Sequence, residues 1–101
     1  MIKIIARNHL ERFLTNEDGF LLLNIIRPHL QQGEKVIISF DGVDSLPSSF
    51  VNTALLPLLH DLPFSKIKEY LSFEDTNSQI NSMIKDRFKS AIEKQLAIPV
   101  Y

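Results

Sequence analysis

Apolar residues recur along the chain with two different periods, and the alternation between them outlines the fold. Ile2 and Ile4 flank Lys3, the alternation of a short strand over Ile2 to Ala6 with one wetter face. His9 to Leu14 fits either a short turn of helix or a second strand segment. Thr15-Asn16-Glu17-Asp18 is a helix start. Thr15 or Asn16 supplies the cap, and the two acids favour the positive end of the helix dipole. The helix is predicted from about Glu17 to Gln31, with Leu22, Ile25, Ile26 and Leu30 as its inner face. Pro28 is expected to bend its last turns, and Gly33 to end it.

Val36, Ile37 and Ile38 are consecutive and β-branched, which predicts a strand over Lys35 to Phe40 covered on both faces. Asp41-Gly42 turns the chain off its end. From Ser48 or Ser49 to about His60, the residues Phe50, Val51, Ala54, Leu55, Leu58 and Leu59 form a helical stripe. Pro57 interrupts it, so that either the helix kinks or a second short helix begins. Ser65 to Phe73 reads as a strand through Ile67, Tyr70, Leu71 and Phe73. Asn77 or Ser78 caps a last helix whose inner face is Ile80, Met83, Ile84, Phe88, Ala91 and Ile92. The tail from Ala97 to Tyr101 reads as extended or disordered. The order is that of an α/β domain, helices packed on a small, at least partly parallel sheet. It runs as one domain over residues 1–101.

Composition narrows the function more than the fold. With 101 residues, 45% of them hydrophobic and 23% charged, the chain has the balance of a folded domain. Eleven basic against 12 acidic residues give a net charge of −1, and no general pull toward nucleic acid follows. There is no cysteine, which removes a disulfide scaffold and a thiol nucleophile together. The apolar start at Met1 to Arg7 is too short for a signal peptide, and no run is long enough for a membrane span. A cytoplasmic protein is the expectation.

Candidate chemistry concentrates between Asp41 and Asn52. Asp41 and Asp44, with a hydroxyl nearby, have the residue types of a Mg²⁺ site, but Asp-Gly is above all a turn pair. No metal and no cofactor is assigned. His9, His29 and His60 share no ligand spacing, and no nucleophile, base and orienting group assemble by motif. The chain is therefore read as a non-enzyme. Ser48 and Ser49 carry two readings. One is a phosphorylation or partner-binding switch, since a phosphate adds about 1.5–2 negative charges. The other is a plain helix cap. Lys85, Arg87, Lys89 and Lys94 alternate with acids on the last helix and read as a solvated face.

These residues also resemble a known pattern. Val36 to Val43 followed by Leu46 to Val51, and Tyr70 to Asn77 followed by Ile80 and Ile84, are similar to the STAS-like family labelled DUF4325. More distantly the chain resembles the STAS domains of bacterial anti-sigma-factor antagonists. The resemblance implies a small mixed sheet faced by helices. It implies a regulatory module that binds another protein, such as a kinase or an anti-sigma factor, and is switched on a serine at the position of Ser48, beside Ser49. Three residues depart from the antagonist pattern: Pro47 stands where an Asp usually precedes the serine, Phe50 where a small residue follows, and Ser39 where the strand usually carries an acid. The contact surface expected on this basis is Asp41, Asp44, Ser45, Ser48, Ser49 and Asn52. The alternative is an unswitched inhibitor or interaction protein, phage or mobile-element encoded, whose serines act only as caps. A homodimer through the sheet edge at Ile2 to Ala6 is a further option.

Overall fold

Three short strands carry the architecture in a computed structural model that describes residues 1–97, with side chains described to Lys94. They are β1 (Ile2–Ile5), β2 (Val36–Ser39) and β3 (Leu71–Glu74), in the order β1-β2-β3. Both pairings are parallel, with Ile2, Val36 and Leu71 in register at one end and Ile5, Ser39 and Glu74 at the other. The helices are α1 (Asn16–Gln31), α2 (Ser48–Ala54), α3 (Leu58–Asp61), α4 (Phe64–Tyr70) and α5 (Ser78–Ala97). No helix among the described residues is long and apolar enough to cross a membrane. The end of the tail, Ile98 to Tyr101, lies outside the described residues.

Sequential parallel strands joined by right-handed crossovers place their connections on one face of the sheet. The burial pattern agrees. Ile4, Val36, Ile38 and Leu71 share a face and are all in the core, with Ile2 and Phe73 half-buried beside them. On the other face Lys3, Ile5, Ser72 and Glu74 are exposed and Ile37 is half-buried. The expectation that β2 is covered on both faces is thus corrected. Ile37 belongs to a largely open face. There the Lys3 ammonium meets the Glu74 carboxylate at 2.9 Å, joining the two outer strands across β2. That contact, first as a hydrogen bond and then through the carboxylate charge, raises the Lys3 pKa.

Local sequence accounts for most element ends. Thr15 caps α1: its hydroxyl accepts the Asp18 N–H at 3.2 Å. The Asp18 carboxylate in turn accepts the Leu14 and Thr15 N–H groups, each at 3.0 Å. These bonds, that to Leu14 first, hold the Asp18 pKa below its ordinary value. α1 closes in a Schellman arrangement. Glu34 N–H reaches back to His29 O and Gly33 N–H to Leu30 O, with Gly33 at φ +78°. Its core residues are Leu22, Leu23, Ile26 and Leu30, whereas Ile25 is only half-buried.

α1 packs closely on α2, and Gly19 permits it. A Cβ there would collide with the Thr53 side chain and lie 2.8 Å from Phe50 O. Of the two options at Pro57, a second short helix is the one realised, with Pro57 preceding α3. Two expectations are corrected. Ser65 to Phe73 is not one strand but α4 followed by β3, because Pro63 starts a helix in which Phe64 and Ile67, three residues apart, both pack on the core. His9 to Leu14 is neither helix nor strand. The helical turn falls earlier, a 3₁₀ turn at Ala6–Asn8, closed when His9 and Leu10 N–H bond Ala6 O.

Candidate functional site

The carboxyl ends of parallel strands are where α/β proteins place their sites, because connecting loops converge there. At the end of β2, Ser39 is fully buried. Its hydroxyl donates to the Asp75 carboxylate at 2.6 Å and accepts the Asp41 N–H at 3.2 Å. Asp75 stands just past β3 with φ +55°, a conformation that Asp tolerates better than most side chains. Ser39 is thus tied to a carboxylate just past the neighbouring strand. Phe40 to Val43 then forms a turn closed by Val43 N–H to Phe40 O at 2.9 Å. Gly42 takes φ +79° in it, and a side chain there would strike Arg7.

The rest of the loop is held from α5. The Gln79 amide accepts the Leu46 N–H at 2.9 Å and donates to Leu46 O at 3.1 Å. Asn77 Nδ2 donates to Asp44 O at 2.8 Å while its Oδ1 caps the helix by accepting the Ile80 N–H at 2.9 Å. Asn77 is thus the cap, and it serves the loop as well as the helix. Gln79 was not singled out by sequence reasoning. Its only signal was its place two residues after the cap.

Neither serine caps α2. Pro47 occupies the cap position and offers no side-chain bond, so Ser48 and Ser49 are the first two helical residues. The reading of the serines as caps is corrected on that ground. Ser48 is exposed, and its hydroxyl makes no hydrogen bond with another described residue. Ser49 is half-buried and donates to Leu14 O at 3.1 Å, tying α2 to the approach of α1. Asn52 accepts from Arg87 Nε at 2.9 Å and so faces α5. Asp41, Asp44 and Ser45 are exposed. Among the described residues no group of three His, Cys, Asp or Glu comes close enough to hold a metal ion.

A shallow cleft of about 350 Å³ separates this loop from the one after β1. Arg7, Arg12 and Leu14 line one wall, and Gly42, Asp44 and Ser45 the other. Neither arginine is paired with a carboxylate among the described residues. On the cleft wall Leu14 is 63% exposed, and in the first turns of α1 Phe20 is 50% and Leu21 54% exposed. These side chains also escaped sequence reasoning, although a signal existed. Phe20-Leu21-Leu22-Leu23 puts four apolar residues in succession on a helix, and a helix on a single core turns only part of such a run inward.

Comparison with known families decides the affiliation. The family described as STAS-like domain of unknown function (DUF4325) matches residues 18–81. The chain belongs to that family. The matched part of this STAS-like domain runs from the first turn of α1 into the start of α5, and so takes in the loop and both side chains that staple it. Comparison with curated proteins and with solved structures gave no match.

Proposed function

We propose that this STAS-like domain is a non-enzymatic regulatory module that binds another protein through the loop and helix start at Asp41 to Ser49. The observation that carries the reading is exposed, apolar Leu14 lining one cleft with exposed Asp44 and Ser45, with Phe20 and Leu21 also exposed on the first turns of α1. Large apolar side chains left in water next to polar, adaptable ones are the usual composition of an interface. The role is similar to that of an anti-sigma-factor antagonist, with a kinase or an anti-sigma-like regulator as partner. Of the two serines, Ser48 suits modification, because its hydroxyl is exposed. The Ser49 hydroxyl already holds Leu14 O. A phosphate on Ser48 would place about 1.5–2 negative charges at the start of α2 and alter the contact surface without opening the fold.

The test has two arms. The tagged chain is used to capture partners from its native cells, in parallel with Phe20→Asp, Leu21→Asp and with Gln31→Asp as a surface control. Loss of the same partner in the first two variants and retention in the third is expected. Equal retention in all of them would remove the surface from consideration. Phosphate on Ser48, found by mass spectrometry, and weakened capture by Ser48→Asp are expected of a switch. If Ser48 carries no phosphate under any growth condition and Ser48→Asp binds normally, the module is an unswitched interaction protein.

A further inference from the structure

A second cavity lies between α4 and β3 on one side and α5 on the other. Its volume is about 740 Å³, within the range of small-molecule sites. Its walls are Phe64, Ile67, Leu71, Ile84, Phe88 and Ile92. Ile67, Leu71, Ile84 and Phe88 form its buried floor, while Phe64, Phe73 and Ile92 are half-buried, so it is a half-open apolar groove. Water inside needs two to four polar partners, and walls of this kind offer it few.

Three lysines stand at the rim. Lys85 and Lys89 are one turn apart on α5, and Lys68 approaches from α4 with its ammonium 5.7 Å from the Phe64 ring centre. None of the three is ion-paired with a described residue. Among the described residues Glu93 is the one acid on the lining. Lysine stems pack along apolar walls while the ammonium stays in water, which sets positive charge around an apolar slot.

We propose that this groove binds a long-chain carboxylate, the alkyl chain lying between α4 and α5 and the carboxylate held by Lys68, Lys85 and Lys89. Charge complementarity requires an anionic end. The lining of α5 from Asn81 to Glu93 spans about 18 Å, room for an extended chain rather than a compact ligand.

The test is titration of the full chain with cis-parinarate, a fluorescent long-chain carboxylate, followed by displacement with palmitate or with hexadecanol. Saturable binding at one site per chain is expected, with palmitate displacing at least tenfold better than hexadecanol. Lys85→Glu, Lys89→Glu is expected to weaken parinarate at least tenfold, and Ile92→Trp to block the groove. Circular dichroism melts confirm that both variants fold. Equal displacement by the neutral alcohol, or unchanged affinity in the charge-reversed variant, overturns the proposal. Absence of saturable binding overturns it in favour of a macromolecular occupant. Binding that appears only after removal of residues 98–101 assigns the groove to the chain's own end. A dimer that Ile92→Trp dissociates assigns it to a second copy.

Discussion

The two faces of the sheet are built from the same three strands and are opposite in character. On one, Ile4, Val36, Ile38 and Leu71 lie under the helices and are at most 5% exposed. On the other, Lys3, Ser72 and Glu74 meet solvent, and order comes from polar bonds: the Lys3–Glu74 pair and the buried Ser39 hydroxyl between Asp41 and Asp75. The difference separates two ways of stabilising a strand. The covered face relies on apolar burial, which is large and insensitive to salt and pH. The open face relies on a few directed contacts, of which only the buried one carries much energy.

The widest gap is expected between neighbours in β2. Ile38→Ala removes a fully buried side chain from the covered face and should cost about 2–5 kcal/mol. Ile37→Ala, one residue away on the open face, should cost about 1 kcal/mol or less. Urea denaturation of both variants measures the contrast, and similar losses would mean that something covers the second face too. Next, Ser39→Ala should cost about 1–3 kcal/mol, because it leaves the Asp75 carboxylate and the Asp41 N–H without a shared partner. A neutral outcome would reduce the open face to a merely solvated surface.

The smallest effect is expected at the start of α1, in the helical layer. The Asp18 pKa is lowered on folding, so its contribution is fully present above the ordinary value of 3.8 and is lost as the pH falls through the lower, folded-state value. Asp18→Asn should therefore unfold at lower urea than the wild type at pH 7, with the gap closing in acid below that ordinary value. A gap that persists unchanged at low pH would mean that the carboxylate charge is not what the cap uses.

How much of this the sequence discloses depends on the range of the interaction concerned. The cap at Thr15, the stop at Gly33 and the core stripe of α2 are local, and residues within a few positions of one another state them. The α/β order follows from the same local patterns. α4 is hard to see in the sequence because a short apolar run satisfies both periods, and packing settles the choice, here Ile67 entering the core. The open face of β2 is hidden for a similar reason. Three β-branched residues in a row show a central strand, but which face is covered depends on the handedness and order of the crossovers. At the candidate site, the strand, turn and serines were legible. The partners that fix them were not: Asp75 for Ser39, Gln79 for Leu46 and Leu14 for Ser49 each lie more than 30 positions away.

That separation has a consequence for how the protein is made. Synthesis proceeds from the amino end, so β1, α1, β2 and the beginning of α2 are made before Asn77 and Gln79. Until those two amides arrive, Asp44 O and both backbone groups of Leu46 have only water to bond. The loop that carries the candidate contact surface is thus among the last parts to set. A growing chain keeps it unfinished until the sheet and the last helix have come together around it.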